Sequence, residues 1–403
     1  MKKLNKNSLL FVFAIFFVIA GIRGDCFEQL KGSTIDMLVG LKHGNIYSIF
    51  DLKAKIDDIS NKELSYHDIM MDINSAKENL LGTRIIEKDD TTVVKADSGS
   101  LIEPVKKVSK NEIQEIIDRI DRLKTISEDN GANFLYCVAP KKELYQTAPE
   151  NIANYSKENQ ELFLSELAKA NIPFFDFAET INEKKTSFQT FYNTDHHWTT
   201  KTGFVANNAL LQELHNRYRF EYGKELSDIS NYNIDNYENW FLGSKGKKVG
   251  TFFSWNGADD FELITPKFET NLTEEQPFKN KRRTGDFKET VLYMEHMKKE
   301  YYKLNPYATY GGGDFRLQII RNNLNSGGEK VLLVRDSFAS VVAPFLALQT
   351  SELHICDVRN YEYFSGDKLN IGEYIKEIKP DYVVVLYTGV STIQESKGRY
   401  DFF

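Results

Sequence analysis

The stretch Phe134-Leu135-Tyr136-Cys137-Val138-Ala139-Pro140 decides the class of fold. It is a continuous apolar run that ends at a proline, and such runs suit strands buried on both faces of a parallel sheet. A helix is predicted before it, because isoleucine and leucine recur at helical spacing over 113–126. Ser109 and Glu112 form a capping box at the start of this helix, and Gly131 ends it.

The same alternation of strands and helices continues along the chain. Further helices are predicted over 157–170, 200–215, 337–348 and 371–378, and further strands over 173–177, 330–334, 353–358 and 382–386. Such alternation predicts an open α/β sheet. The early and late halves should build one sheet, because neither has enough strands for a well-covered core. Ligands of such folds bind at the carboxyl edge of the strands.

The remaining segments suggest how the chain is divided. Residues 27–79 are helix-biased and polar, which predicts a helical stalk or packing arm before a main domain over 80–403. Within that domain, 82–86 and 91–95 flank a charged turn and predict a hairpin. Residues 217–304 are turn-rich and aromatic, and they predict a β-rich insertion that could wall a cleft.

Residues 1–26 predict a signal peptide or a signal anchor. Basic residues at the start precede an apolar run over 9–22, which Arg23 follows. The flank at 20–24 is a weak cleavage site, so we favour an uncleaved anchor, with a buried N-terminal helix as the remaining alternative. Either export route places the body of the protein outside the cytoplasm.

Composition excludes several classes of protein. With 41% hydrophobic residues the chain can bury a sizeable core, and a net charge of −7 gives no indication of nucleic-acid binding. The three cysteines are odd in number and far apart, which argues against a disulfide framework. Cys137 and Cys356 lie in apolar runs and are predicted to be buried thiols.

The stretch Thr194-Asp195-His196-His197-Trp198 carries the chemistry. The Asp-X-His spacing allows Asp195 to orient His197, and Ser337 is predicted where a strand ends and a helix begins. A backbone N–H at a helix N-terminus favours an oxyanion. Ser337 would attack an acyl carbonyl, His197 would take its proton, and Asp195 would hold the imidazole tautomer.

Each of these residues has an alternative interpretation. Asp336 and Ser337 are also good helix caps, and Trp198 is more often a core aromatic than a platform for ligands. His196 competes with His197 as the base. A His-His pair with Asp195 can also ligate a metal ion, but no further histidine lies at a metal-binding spacing, so no metal is predicted.

The stretch 194–198 resembles the signature of the DHHW protein family. Its Asp-X-His-Trp pattern is similar to that of alginate O-acetylation proteins with an SGNH hydrolase-like domain. The resemblance covers most of the chain after about residue 80, including 241–244, 259–270, 307–314 and 331–345. It implies a three-layer α/β fold, an open parallel sheet flanked by helices. Carried over, the family's nucleophile, base and acid fall on Ser337, His197 and Asp195.

Two departures from the family pattern concern the oxyanion hole. Arg335 stands where many SGNH enzymes have glycine, and Asp314 stands where the DHHW pattern has asparagine. An asparagine could donate to an oxyanion, whereas an ionised aspartate cannot. The hole is then expected to rest on backbone N–H groups of Ser337 and of 311–313, or this member is weak or inactive. The candidates for oxyanion or substrate binding are Gly312, Gly313, Asp314, His196, Trp198 and Arg335.

The resemblance implies an extracytoplasmic O-acetyltransferase or acetyl-esterase that acts on a cell-envelope or exported polysaccharide. Related systems pair such a protein with a membrane-bound O-acyltransferase, and no nucleotide or metal cofactor is implied. Two alternatives stay open. One is a non-catalytic carbohydrate-binding or scaffold protein, which the altered Asp314 and the aromatic residues between 230 and 259 motivate. The other is a metal-dependent hydrolase at 195–197.

Overall fold

The computed structural model describes residues 64–88, 91–254, 257–359, 369–390 and 398–403. The predicted signal segment and most of the predicted stalk lie outside these residues. The chain divides into two compact units, Met1–Lys77 and Glu78–Phe403, and the domain boundaries expected from the sequence stay predictions. Within the described ranges, no helix is long and apolar enough to cross a membrane.

The described secondary structure alternates between strands and helices. The strands are β1 (Ile85–Lys88), β2 (Thr91–Lys95), β3 (Leu101–Ile102), β4 (Asn133–Ala139), β5 (Phe174–Asp176), β6 (Tyr232–Phe241), β7 (Asp259–Pro266), β8 (Leu272–Gln276), β9 (Lys281–Gly285), β10 (Leu317–Asn322), β11 (Lys330–Arg335), β12 (Glu352–Cys356) and β13 (Tyr382–Thr388). The α-helices are α1 (Leu64–Leu80), α2 (Lys110–Asp129), α3 (Ser156–Lys169), α4 (Ala178–Lys184), α5 (Thr200–Tyr218), α6 (Ser244–Val249), α7 (Phe287–Val291), α8 (Ala343–Ala347) and α9 (Ile371–Ile378).

One eight-stranded sheet organises the second unit, in the order β5-β4-β13-β11-β12-β10-β8-β9. The strands from β5 to β12 in this order run parallel to their neighbours. Strand β10 then pairs antiparallel with β12 and with β8, and β9 continues antiparallel from β8. The carboxyl ends of β4, β13, β11 and β12 therefore meet at one edge.

The predicted α/β fold with a parallel-rich sheet is confirmed, but the sheet is not parallel throughout. Local sequence patterns do not predict β10, and they place β8 and β9 in an insertion over 217–304. In the structure these three strands extend the main sheet. Apolar periodicity identifies a strand but not its partner or its direction, which long-range contacts decide.

Alternation along β4 shows why the molecule has three layers. Leu135, Cys137 and Ala139 belong to one core cluster, whereas Phe134 and Tyr136 belong to another. Helices α5 and α8 contribute to the first cluster, and helices α2, α3 and α9 contribute to the second. Each face of the sheet is therefore covered by helices, as a strand with apolar residues on both faces requires.

Helix α2 illustrates how local signals set an element. Ser109 accepts from the backbone N–H of Glu112, and the Glu112 side chain caps Ser109 in return, which forms the predicted capping box. Four of its five isoleucines, those at 113, 116, 117 and 120, are buried. The predicted hairpin is also present, since Ile85 pairs with Val94. Strand β5 is half-buried rather than buried, because it lies at the edge of the sheet.

The segment after β11 differs from its prediction. The predicted helix over 337–348 is a 3-10 turn, Ser337–Val341, followed by the short helix α8. Pro344 supplies the reason. Proline has no N–H to donate, and its ring clashes with the carbonyl four residues earlier, so a continuous α-helix cannot pass through it.

The hairpin of β6 and β7 is the part of the predicted insertion that stands outside the main sheet. Phe261, Leu263 and Ile264 of β7 are buried in the first core cluster, so the hairpin packs firmly on the α/β body. The chain leaves β6 at Phe241 and enters α6 at Ser244. This connection delivers Gly243 and Ser244 to the site described next.

Candidate active site

Three side chains from distant parts of the chain form one line of hydrogen bonds. The Nδ1 atom of His197 lies 2.5 Å from Oδ1 of Asp195, and Nε2 of His197 lies 2.8 Å from Oγ of Ser337. Ser337 follows β11 at the carboxyl edge of the sheet, and Asp195 and His197 lie in the loop before α5. This is the order of groups that a serine nucleophile, a base and an orienting acid require.

Aromatic packing restricts the His197 ring. The Tyr307 ring stacks on it with centroids 4.1 Å apart at 17°, and the Phe338 ring lies 5.1 Å away. The His197 side chain is only 7% exposed. The imidazole therefore has little freedom to rotate away from its two hydrogen-bond partners.

Asp195 is held as an anion. Its Oδ1 accepts from the backbone N–H of His197, and its Oδ2 accepts from the N–H of Ser244. Burial alone would raise the pKa of this carboxyl, but the imidazoles of His196 and His197 and the N–H of Ser244 hold it well below its ordinary value. A charged Asp195 can stabilise an imidazolium at His197.

His196 lies beside the hydrogen-bonded line rather than in it. Its Nδ1 is 3.0 Å from Oγ of Ser244, and its ring packs against that of His197 at a tilt of 37°, with centroids 3.8 Å apart. Desolvation lowers the pKa of His196, and the neighbouring His197 lowers it further. Because 40% of its side chain is exposed, His196 can contact a bound molecule. The histidine that is hydrogen-bonded to Ser337 is His197, so His197 is in the position of the base.

Trp198 and Arg335 are buried, so neither offers its side chain to a substrate. The Trp198 indole N–H donates to the carbonyl of Phe338 at 2.9 Å, which ties the loop before α5 to the turn after Ser337. The alternative interpretation of Trp198 as a core aromatic fits this position. Arg335 donates to Oδ1 of Asp314 at 2.5 Å and to the Gly313 carbonyl at 2.7 Å.

Asp314 is part of an ion cluster next to the predicted oxyanion region. Burial would raise its pKa, but the guanidinium groups of Arg335 and Arg359 lower it below the ordinary value. Oδ2 of Asp314 lies 3.4 Å from Arg359, which also pairs with Asp357 at 2.6 Å. An ionised Asp314 has no proton to donate, so it cannot replace the family's asparagine as an oxyanion donor.

The glycines before Asp314 form a turn whose backbone angles other residues rarely adopt. Gly311, Gly312 and Gly313 all have positive φ, and a Cβ on Gly312 would lie 2.6 Å from the Tyr293 ring. The N–H of Gly311 already donates to the carbonyl of Val291. Of the three glycine N–H groups expected at the oxyanion hole, those of Gly312 and Gly313 stay candidates, beside the N–H of Ser337.

Asp195, His196 and His197 offer ligand atoms within 4.8 Å of one another, the spacing of a possible metal site. Tetrahedral zinc with ligands at about 2.0–2.2 Å would hold two ligand atoms roughly 3.3 Å apart. The 2.5 Å between Oδ1 of Asp195 and Nδ1 of His197 is too short for that and suits a hydrogen bond. In this arrangement these two atoms form a hydrogen bond and are not placed as two ligands of one zinc ion.

A groove of about 1100 Å³ opens beside these residues. His196, Ser244 and Phe338 contribute to its wall, and Glu103, Lys245 and Tyr155 are among the polar residues that line it elsewhere. Its size exceeds what a small acyl group needs. A groove of this volume, lined by both polar and apolar groups, can hold several units of a hydroxyl-rich chain.

Sequence patterns did not indicate three contributors to this site. Ser244 donates its N–H to Asp195, Lys142 donates to the backbone of the 192–195 loop, and Asp259 accepts from the same loop. The sequence offered two signs without a role: Ser244 and Asp259 lie in segments that the family resemblance covers, and Lys142 follows the predicted strand at its carboxyl end. Their role depends on contacts across 49 to 66 residues of chain, which no local pattern contains.

Comparisons with known proteins agree with this architecture. Residues 100–226 match the family model of the SGNH hydrolase-like domain, acetyltransferase AlgX. Residues 100–226 therefore resemble an SGNH hydrolase-like domain, and the resemblance expected from the DHHW stretch is confirmed. The matched segment includes Asp195, His196 and His197 and ends before Ser337. No curated protein sequence matches the chain.

Solved structures share the fold over most of the chain. PatB1 of Bacillus cereus is 21% identical with a TM-score of 0.62, covering 77% of this chain and 99% of that chain. The structure of PatB1 with a sulfonyl adduct is also 21% identical, with a TM-score of 0.60 and coverage of 76% and 95%. A DHHW family protein from Eubacterium siraeum is 18% identical, with a TM-score of 0.57 and coverage of 76% and 92%.

Proposed function

We propose that this chain is an acyl-transfer enzyme, an O-acetyltransferase or acetyl-esterase, with Ser337 as its nucleophile. The observation that carries this proposal is the unbroken line of hydrogen bonds from Asp195 through His197 to Ser337. Members of this line lie up to 142 residues apart in sequence. A purely structural role for Ser337 as a turn residue would not require its hydroxyl to face an oriented imidazole.

In the first step, Ser337 Oγ attacks the carbonyl carbon of an acetyl ester while His197 Nε2 takes the hydroxyl proton. The carbonyl electrons move to oxygen, and the ionised Asp195 stabilises the imidazolium that forms. When the tetrahedral intermediate collapses, the bond to the leaving oxygen breaks. His197 returns the proton to that oxygen, which leaves an acetyl group on Ser337.

In the second step, an acceptor takes the acetyl group from Ser337. His197 removes the proton of the acceptor hydroxyl, whose oxygen attacks the acetyl carbonyl, and Ser337 leaves with that proton. A sugar hydroxyl as acceptor makes the protein a transferase, and water makes it an esterase. His196 is proposed to contact the acceptor, since its ring lines the groove and 40% of its side chain is exposed.

The oxyanion is proposed to bind backbone N–H groups rather than a side chain. The candidates are Ser337, Gly312 and Gly313. Arg335 holds the Gly313 carbonyl and the Asp314 carboxylate, which connects the glycine turn to the end of β11, two residues before Ser337. A fixed set of N–H donors is the most effective way to stabilise such a charge.

The proposed substrate is a cell-envelope or exported polysaccharide, outside the cytoplasm. A groove of about 1100 Å³ with polar and apolar walls supports a chain-like acceptor, and the match of 100–226 to an acetyltransferase domain supports acetyl as the group transferred. A membrane-bound O-acyltransferase is the proposed source of acetyl groups. The N-terminal segment over 1–26 would place both proteins at one membrane.

Turnover of a small acetyl ester tests the proposal. We expect the purified chain to hydrolyse 4-nitrophenyl acetate and to lose this activity in Ser337→Ala and in His197→Ala. Ser326→Ala and His296→Ala are matched controls for the two substitutions, because Ser326 is exposed and His296 is half-exposed. Retained turnover in Ser337→Ala, with an unchanged melting temperature, would exclude the mechanism.

One observation favours a second candidate function, a non-catalytic polysaccharide-binding protein. Asp314 is ionised and paired with Arg335 and Arg359 where the family pattern has an oxyanion donor. This candidate predicts glycan binding that Ser337→Ala leaves unchanged, and no covalent reaction of Ser337. Asp314→Asn is the discriminating variant, since it would raise turnover if the lost donor limits the reaction.

A further inference from the structure

Lys142 is a buried cation that the proposed reaction does not use. It follows β4, begins the 3-10 turn Lys142–Leu144, and has no exposed surface. Its Nζ donates to the backbone carbonyls of Tyr192 at 3.0 Å, Asn193 at 3.1 Å and Asp195 at 2.5 Å. An ammonium group has three N–H donors, and all three are directed at one loop.

The carboxylate of Asp259 binds the N–H groups of the same loop. Its carboxylate accepts from the N–H of Asn193 at 2.6 Å, from the N–H of Thr194 at 2.8 Å, and from the Thr194 hydroxyl at 2.6 Å. Asp259 is 4% exposed. The loop over 192–195 is therefore bonded on its carbonyl side to a buried cation and on its amide side to a buried anion.

This arrangement bears directly on the orientation of Asp195. The Asp195 carbonyl is bonded to Lys142, while its carboxylate is bonded to His197 and to the N–H of Ser244. Backbone and side chain of one residue are thus fixed from separate directions. If the carbonyl were released, the Asp195 carboxylate could rotate away from Nδ1 of His197.

We propose that Lys142 is a positioning residue, whose ammonium group, together with the Asp259 carboxylate, holds the 192–195 loop and so aims Asp195 at His197. This inference rests on the proposed function, in which His197 is the base. Lys142 touches neither the reacting atoms nor the groove. Its effect reaches Ser337 only through Asp195 and His197.

The charge state of Lys142 connects this role to pH. Desolvation lowers the pKa of Lys142 to about 7, and the like charge of Lys245 contributes, against the opposing effects of Glu143, Asp259 and Asp195. A neutral amine has two N–H donors, so one of the three carbonyls would then face a lone pair. The hydrogen bonding of Lys142 to the loop should therefore weaken as the pH rises.

A merely structural role predicts a different pH dependence. An unfolded lysine has a pKa of about 10.4, so between about pH 7 and pH 10 the unfolded state binds more protons at this position than the folded state. The contribution of Lys142 to the free energy of unfolding therefore increases with pH over this window. Loss of reactivity without loss of stability would separate positioning from folding.

The test is the rate at which phenylmethylsulfonyl fluoride modifies Ser337, followed by intact mass from pH 6 to pH 10. The full chain is compared with Lys142→Met, Lys142→Arg and the exposed control Lys157→Met. We expect the wild-type rate to fall about tenfold at alkaline pH, as the loss of one charged hydrogen bond would allow. The Met variant should be slow at all pH values, and the Arg variant should lose the alkaline decline.

A second measurement does not depend on reactivity. The proton between His197 Nδ1 and Asp195 should give a downfield proton NMR resonance in the wild type, which weakens or shifts in Lys142→Met. A wild type that shows the resonance but is never modified contradicts the proposed function alone. A Met variant with the wild-type rate profile and resonance overturns the role of Lys142. If that variant does not fold, an Arg variant that keeps the alkaline decline overturns it.

Discussion

At the scale of single residues, Asp195 has the most closely determined environment in the site. Both carboxylate oxygens accept N–H groups, its carbonyl accepts from Lys142, and its charge faces the imidazole of His197. The spacing of two residues lets the Asp195 carboxylate reach the imidazole of His197 in the same loop. Substitutions that disturb the hydrogen bond between Asp195 and His197 should therefore lower the reaction rate more than they lower the stability of the fold.

Replacement of Asp195 by asparagine tests this directly. The amide of Asp195→Asn would favour the wrong imidazole tautomer, so that Nε2 of His197 carries the proton and cannot take the one from Ser337. We expect turnover of an acetyl ester to fall by roughly 10³- to 10⁴-fold, measured against Asp97→Asn at an exposed position. A loss of less than about tenfold would contradict the orienting role.

The same carboxyl should also contribute to stability against acid. The pKa of Asp195 is lower in the folded chain than the value of about 3.9 in the unfolded chain. Its stabilisation is therefore complete above about pH 4 and is lost as the pH falls through the folded value. We expect the difference in free energy of unfolding between wild type and Asp195→Asn to shrink below that pH, measured by urea denaturation. A difference that stays constant down to pH 3 would contradict it.

At the scale of elements, the site depends on how closely α5 approaches the turn after Ser337. Gly203 of α5 faces Val341, and a Cβ on Gly203 would lie 2.2 Å from Cγ2 of Val341. Helix α5 continues from the loop with Asp195 and His197, while Val341 ends the turn that begins at Ser337. This contact therefore joins the two halves of the hydrogen-bonded line.

We expect Gly203→Ala to separate these halves. The added methyl group forces the turn of Ser337 away from α5, which should lower the free energy of unfolding by about 1–3 kcal/mol and reduce modification of Ser337 by a sulfonyl fluoride. Gly327→Ala is the matched control, because a Cβ there meets nothing within 4 Å. Equal melting temperatures and equal reactivity of the two variants would show that the contact is not needed.

At the scale of the whole molecule, two core clusters on opposite faces of one sheet make the second unit cohesive. Cys137 of β4 belongs to one cluster and Cys356 of β12 to the other, and both are free and fully buried. The prediction of buried thiols is confirmed for both. Burial raises the pKa of each thiol above its ordinary value, which suppresses the reactive thiolate.

These thiols can report on global unfolding. In a Cys26→Ser background, we expect 5,5′-dithiobis(2-nitrobenzoic acid) to leave the native protein unmodified. Both thiols should react in urea, with a midpoint that matches the loss of circular dichroism, because neither sulfur can be reached without opening the core. Rapid reaction of one thiol in native buffer would show that its face of the sheet opens locally.

Local patterns predicted the elements that local interactions determine. The apolar run at β4, the capping box of α2 and the spacing from Asp195 to His197 involve residues a few positions apart. The helix after Ser337 was mispredicted because Pro344 outweighs the apolar pattern around it. Local patterns could not predict the place and direction of strands β8 and β10, because both depend on partners far along the chain.

The sequence by itself determined the α/β class, the resemblance that the comparisons confirm, and the identity of the side chains proposed for the chemistry. Only the tertiary structure decided that Ser337 lies within hydrogen-bond distance of His197, 140 residues away. It also decided that Lys142 and Asp259 bind opposite sides of one loop. The physical reason is that periodicity and capping depend on residues a few positions apart. A buried charged side chain, in contrast, meets its partners only once the sheet and its connecting loops have folded.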